Sequence, residues 1–213
     1  MKRITLSSAT VVLGAMLPMV VAIAAGDQGS RVPLVSDEAA APVVSDFYKA
    51  MRAAGTQPLT MHRAVANAPE LFAAYAGMAR AIRRDDHVPR PLRELAILRT
   101  LQLENGEYEV GQHTRMALSC GMSGEQIAAL DQWRSSKLFA PEQRAVLGWV
   151  EGMVEAAGPN EASYDEMAKH FDPHAIVEIT LTAGFYAMSA RTTKALAVKP
   201  QPAPAATGGY GAC

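Results

Sequence analysis

Glu109 and His113 lie four residues apart in the run "NGEYEVGQHTRMALSCG" (105–121), so on a helix they share one face, a single turn apart. An acid and an imidazole so placed have three chemical readings: a general acid–base pair, part of a metal site, or a solvated ion pair worth a few tenths of a kcal/mol. Met116, Ala117 and Cys120 continue the stripe from His113, which turns this face inward. A second acid, Glu94, leads the stripe of Leu98 and Leu101 in "PLRELAILRTLQL". A carboxylate there is either partnered in the interior or stands in the first helical turn, where negative charge favours the helix dipole.

The remaining candidates carry less. His174 and Glu178 repeat the four-residue spacing, but beside a helix start where solvation is easy. His62, His87 and His170 have no partner at a useful spacing. Asp172-Pro173 interrupts any helix between His170 and His174, so these two are not a two-histidine metal face. The methionines read as gap fillers of a helical core, and Cys120 reads as a small buried hydrophobe.

These residues need helices to position them, and the sequence supplies little else. Val43, Val44, Phe47 and Met51 recur at helical spacing and stop at Gly55. Pro69, Pro91, Pro141 and Pro173 each stand where a helix begins. Gly121 follows the His113 helix as its C-terminal stop, and a short turn at Asn105-Gly106 folds that helix back on the Glu94 helix. Ser123 with Gln126, and Ser163 with Glu166, have capping-box spacing. No run of alternating β-branched residues competes. The prediction is an all-α bundle of about six to eight helices.

The chain has 213 residues, enough for one sizeable core. Hydrophobic residues are 49% and charged residues 19%, which argues against wholesale disorder. A net charge of −1 with no polybasic stripe gives no footprint for nucleic acid. "MKRITLSSATVVLGAMLPMVVAIAAGD" has the order of a secretory leader: Lys2 and Arg3, an apolar run, then small residues. Pro18 and the shortness of that run argue against a membrane span, which needs about 20 apolar residues. The expected organisation is therefore a signal peptide (1–24), a flexible linker (25–42), a helical domain (43–198) and a disordered tail (199–213). The mature protein is expected in the periplasm or secreted, with no stable membrane span after leader removal. Cys120 and Cys213 are the only cysteines, and no C-x-x-C or C-x-x-C-H occurs, which excludes a thioredoxin-type centre and c-type haem attachment.

The run "PLRELAILRTLQLENGEYEVGQHTRMALSCGMSGEQIAAL" resembles the carboxymuconolactone decarboxylase and alkylhydroperoxidase D superfamily. With "MHRAVANAPEL" upstream and "EITLTAGFYAMSAR" downstream, the likeness covers about 43–196. The antioxidant branch has a glutamate, two cysteines three apart, and a histidine four after the second. Here the glutamate falls on Glu94 and the histidine on His113, while Gly106 and Glu109 occupy the cysteine places. The decarboxylase branch commonly has an acid where Glu109 stands, and "YEVGQH" fits that pattern with Val110 in place of a tryptophan. The resemblance implies an alkylhydroperoxidase D-like fold and a homo-oligomer, trimeric or hexameric. It also implies convergence of Glu94, Glu109 and His113 on one site.

A peroxidase of this family needs a thiolate and a resolving thiol, and neither stands at its place. Proton chemistry remains, as in decarboxylation of a small carboxylated or lactone substrate. His113 is then the general acid/base, Glu109 its orienting partner and Glu94 a buried relay, with Arg93, Arg99 or Arg115 available for a substrate carboxylate. No cofactor and no resident metal are expected, although a site with Glu94, Glu109 and His113 as ligands is a third reading. The rival classes are peroxiredoxin-type antioxidant activity and a non-enzymatic helical binding or assembly module.

Overall fold

Proline sets the helix starts. Pro42, Pro69, Pro91, Pro141 and Pro173 occupy the first or second position of five helices, where a missing N–H has no intrahelical partner to lose. The computed structural model describes residues 30–84, 87–155 and 158–200. Its elements are α1 (Pro42–Ala53), α2 (Thr60–Val65), α3 (Pro69–Arg84), α4 (Arg90–Leu103), α5 (Glu107–Ser119), α6 (Gly124–Ala128), α7 (Pro141–Val154), α8 (Glu161–Ala168) and α9 (Pro173–Ala195). A 3₁₀ turn, Leu130–Gln132, links α6 to α7. No strand occurs among the described residues, as the sequence predicts for an all-α protein. One helix more than expected is present: α2 has only 6 residues, too few to display a helical period. The predicted signal peptide, and the predicted tail from residue 201 onward, lie outside the described residues.

The helix ends follow one device. Gly55, Asn105, Gly121 and Ala197 take φ of 77°, 50°, 92° and 50° after α1, α4, α5 and α9. In each case the next N–H reaches back to a carbonyl in the last helical turn: Thr56 to Met51 (2.9 Å), Gly106 to Leu101 (2.7 Å), Met122 to Ala117 (3.0 Å) and Val198 to Thr193 (2.8 Å). These are Schellman closures, which satisfy carbonyls that a helix end leaves open. Gly121 is the stop that the sequence predicts. At the α4–α5 turn the left-handed residue is Asn105, whereas Gly106 serves close packing. A Cβ on Gly106 would sit 2.9 Å from Leu101 Cδ2 and 3.0 Å from Ala190 Cβ of α9. At the other ends, Ser123 and Gln126 form the expected capping box. The cap of α8 is Asn160, whose side chain accepts the Ser163 N–H at 3.0 Å, rather than Ser163 itself.

α4 is the centre of the fold and packs on α5, α7 and α9. Every residue from Arg93 to Leu101 is buried, so the helix is enclosed on all sides. Leu95, Ala96 and Leu98 join Val146, Leu147, Val150 and Ile179 in the main core. Ile97 and Leu101 face Phe185, Tyr186 and Ala190 in a second cluster. The three buried charged residues of α4 are each compensated. Arg93 donates to the Ile82 carbonyl at 2.6 Å and lies 3.3 Å from Glu178. Arg99 pairs with Glu151, which also accepts from Trp133 Nε1 at 2.7 Å and from Arg134. Glu94 is held by Arg90 and His113.

The segment 30–41, read from sequence as part of a flexible linker, is fastened to the domain. Arg31 N–H donates to the Leu196 carbonyl at 2.7 Å, and Val35 N–H to that of Arg63 at 3.1 Å. Asn67 Nδ2 donates to the Pro33 carbonyl at 2.7 Å. The polar composition was misleading because backbone bonds to helix ends, not an apolar period, hold this strap. On the far side, α9 exposes Val177, Leu181 and Met188 along one stripe. Among the described residues, no helix is long and apolar enough to cross a membrane.

Glu151 concentrates much of the cohesion between α4, α7 and the 3₁₀ turn. Glu151→Ala leaves Arg99 buried without its counter-charge, a loss of about 3–5 kcal/mol. Urea unfolding should show a lowered midpoint with unchanged slope. A midpoint within error of the parent would refute this role.

Candidate active site

The α4–α5 turn brings Glu94 and His113 together across the two helices. His113 Nδ1 lies 2.8 Å from Glu94 Oε2, and Arg90 Nε donates to Glu94 Oε1 at 2.7 Å. Glu94 has no exposed surface and His113 is 5% exposed, so this contact is screened from solvent. First-turn placement therefore does not account for Glu94; its charge is held by two partners. Burial pushes the Glu94 carboxyl up, but the His113 hydrogen bond and the Arg90 charge outweigh it and hold the pKa below the ordinary value. An ionised Glu94 only accepts, so Nδ1 carries the proton and donates to it, which leaves Nε2 outside this contact. The ring is seated edge-on against Tyr186 of α9, at 4.7 Å and 82°.

Glu109 reaches the same place by another route. Its Oε1 accepts from Ser189 Oγ of α9 at 3.0 Å, and Tyr75 Oη of α3 lies 2.7 Å from Ser189 Oγ. Its Oε2 is buried with no hydrogen-bond partner. Burial raises the Glu109 pKa, and the nearby His113 charge and the Ser189 bond offset this only in part. Among the described residues no hydrogen bond joins Glu109 to His113. The sequence assigned orientation of the imidazole to Glu109 and a relay to Glu94. The geometry reverses these parts: Glu94 orients, and Glu109 is the desolvated acid. An i, i+4 spacing puts two side chains on one face, but the choice of partner was made by α4 and α9.

Both Glu109 and His113 line a cavity of about 40 Å³, together with Tyr75, Tyr108, Gln112 and Tyr186. That volume holds about three waters, at about 10–15 Å³ each. Burial raises the pKa of Tyr75 and Tyr186, so both phenols stay protonated. His62 and Arg83 complete the wall. Burial lowers the His62 pKa to about 3, and its Nδ1 accepts the Leu59 N–H at 3.1 Å. His62, Arg83, Tyr75, Tyr186 and Ser189 were missed by sequence reasoning. None shares a helical turn with the trio, and only the packing of α2, α3 and α9 on α5 brings them in. A larger open cavity of about 780 Å³ lies elsewhere, bounded by Trp133, Arg144, Trp149 and Glu166, and includes none of the trio.

The other candidates disperse. Of the arginines proposed for a substrate carboxylate, Arg93 and Arg99 are committed to buried acids and Arg115 is exposed. His87 lies 3.0 Å from Asp172 and stacks on His174 at 4.2 Å, on the surface. Glu178 accepts the Val88 N–H at 3.0 Å and faces Arg93, which gives it a structural place apart from any pairing with His174. His170 stands 3.7 Å from Glu166. Cys120 is half-buried and disulfide-bonded, not a buried hydrophobe. The metal reading loses its donors, because both oxygens of Glu94 are taken by Arg90 and His113. No group of three potential metal ligands converges among the described residues.

Comparisons with known proteins bear on the family and the fold. Residues 69–152 match the sequence model of the Carboxymuconolactone decarboxylase family. The chain is 32% identical over 80 residues to the uncharacterized protein YnjA of Escherichia coli (strain K12), covering 37% of this chain and 44% of that protein. It thus spans less than half the length of this relative. Among solved structures, the debrominase Bmp8 superposes with a TM-score of 0.68 at 17% identity, covering 83% of this chain and 93% of that one. An uncharacterized peroxidase-related protein from Silicibacter sp. TM1040 gives 0.68 at 18% identity, covering 84% and 95%. An alkylhydroperoxidase AhpD core protein from Ralstonia eutropha JMP134 gives 0.62 at 19% identity, covering 81% and 93%. At these identities the likeness is one of fold. The resemblance read from the sequence is supported over residues 69–152, which match the Carboxymuconolactone decarboxylase family, within an all-α fold similar to that of the alkylhydroperoxidase AhpD core protein.

Proposed function

We propose that the protein is an acid–base enzyme that transfers a proton at His113, in decarboxylation or a related reaction of a small carboxylated or lactone substrate. One observation carries this reading. Glu94 holds Nδ1 of His113, while Nε2 has no hydrogen bond among the described residues and the ring lines a cavity shared with Glu109. In a decarboxylation the carbon–carbon bond to the carboxylate breaks, carbon dioxide leaves, and the electron pair stays on carbon as an enolate-like anion. The Nε2–H of the imidazolium delivers a proton to that carbon, and Glu94 faces the Nδ1–H throughout. Solvent then returns a proton to Nε2. Glu109, made reluctant to ionise by burial, keeps a second negative charge away from the forming anion.

Two rival readings fare worse. The thiol pair of the antioxidant branch is replaced by Gly106 and Glu109, and Cys120 is about 10 Å along α5 from His113 at the helical rise of about 1.5 Å per residue. A scaffold without chemistry has no use for a buried carboxylate–imidazole contact beside a polar cavity. The proposal includes export of the mature protein and assembly with further copies of itself.

Three outcomes test this reading. Carbon dioxide release should be found when the purified protein is screened against carboxylated lactones and keto acids. His113→Gln should lower that turnover by about 10²–10⁴-fold with the helical circular dichroism intact. Undiminished turnover in this variant would sink the proposal.

Glu109→Gln should alter stability with a definite sign. Because burial raises the Glu109 pKa above its ordinary 4.5, its stabilising protonated form is complete below that value and is lost as pH rises through the folded-state pKa. The variant should be more stable than the parent at pH 7, by about 1–3 kcal/mol. The difference should vanish near pH 4. Thermal melts at the two pH values check this, and a variant less stable at pH 7 contradicts it.

For assembly, the α9 stripe of Val177, Leu181 and Met188 is the apolar surface a second copy would cover. Leu181→Arg should reduce the mass seen by light scattering at micromolar concentration. A parent that is already monomeric there would count against assembly.

A further inference from the structure

We propose that Arg83 is the anion-recognising residue of this site, seating a carboxylate of the substrate beside His113; this rests on the acid–base reading above. Most of the buried positive charge in this fold is already paired. Arg90, Arg93 and Arg99 are committed to Glu94, Glu178 and Glu151 inside the fold, and Arg63 to Asp37. Arg83 is half-buried, lines the site cavity, and has neither an ion pair nor a hydrogen bond among the described residues.

Its neighbour Arg84 is exposed and stands in the same last turn of α3, so the helix dipole is served without Arg83. The charge of Arg83 is felt within the cavity, where it acts on His62, Tyr75 and Tyr186. A half-buried guanidinium with no acid paired to it among the described residues is an incomplete pair. Its planar fork matches a carboxylate, which it binds through two parallel hydrogen bonds.

The surroundings fit an anionic head group. Gln112 and His113, consecutive on α5, bring an amide and an imidazole to the cavity wall. Glu109 would repel an anion if ionised, and burial holds its carboxyl toward the neutral form. At about 40 Å³ the cavity admits a head group and not a whole substrate. The remainder of the molecule must therefore extend past the half-buried Arg83, and the site selects for the charged end.

The test measures binding, apart from turnover. Acetate and its neutral isostere acetamide are titrated into the full protein while the His113 imidazole nitrogens are followed by long-range ¹H–¹⁵N correlation. Acetate should shift Nε2 saturably and acetamide should not. Arg83→Gln should weaken acetate at least tenfold, Arg83→Lys should restore part of the affinity, and Arg84→Gln should match the parent. Equal acetate affinity in the parent and Arg83→Gln, or no saturable shift in the parent, overturns the proposal. Acetate binding that depends on Arg83, in a protein whose His113→Gln variant keeps full turnover, upholds the anion site and refutes the acid–base reading.

Discussion

A carboxylate with no exposed surface is the constraint from which the rest of this structure follows. Glu94 sits in the middle of the fold, and removing its charge from water is tolerable only because Arg90 and His113 both donate to it. That demand fixes α5 against α4, which in turn fixes the turn between them. The left-handed Asn105 and the side-chain-free Gly106 are the local solution: one reverses the chain and the other lets α9 approach within contact of Leu101. Once α9 is that close, Tyr186 and Ser189 are in place to wall the imidazole and to hold Glu109.

The two acids of the site show how environment separates identical chemistry. Glu94 and Glu109 are both buried, yet their pKa values move in opposite directions. The Arg90 guanidinium and the His113 ring both face Glu94, whereas among the described residues Glu109 has one neutral hydroxyl and an oxygen with no partner. The difference is one of counter-charge rather than depth. A single fold thereby offers an ionised acid to orient the histidine and a reluctant one to shape the cavity.

Much of the fold was legible in the residues because its signals are local. Proline at helix starts, Gly121 after α5, and the Ser123–Gln126 box each announce an end within a few positions. The trio was legible because Glu94, Glu109 and His113 interrupt apolar stripes, where a polar residue needs an explanation. Their division of labour was not, since the deciding partners, Arg90 excepted, come from helices far along the chain. Ser189 is 80 positions from Glu109, and no periodicity relates them. Asp172 was read correctly as a helix start, but the fastening of 30–41 escaped notice because backbone bonds leave no mark in side-chain pattern.

That fastening places the two ends of the described chain side by side. Val32 and Leu34 near one end, and Leu196 and Val198 near the other, pack around Met61 with Tyr75 and Tyr108. Both tyrosines line the site cavity. The back of the cavity is thus built from the two ends of the described chain. A tether on either flank would pull on the layer directly behind the tyrosines, so mechanical load from outside the domain would reach the candidate site through a single shell of side chains.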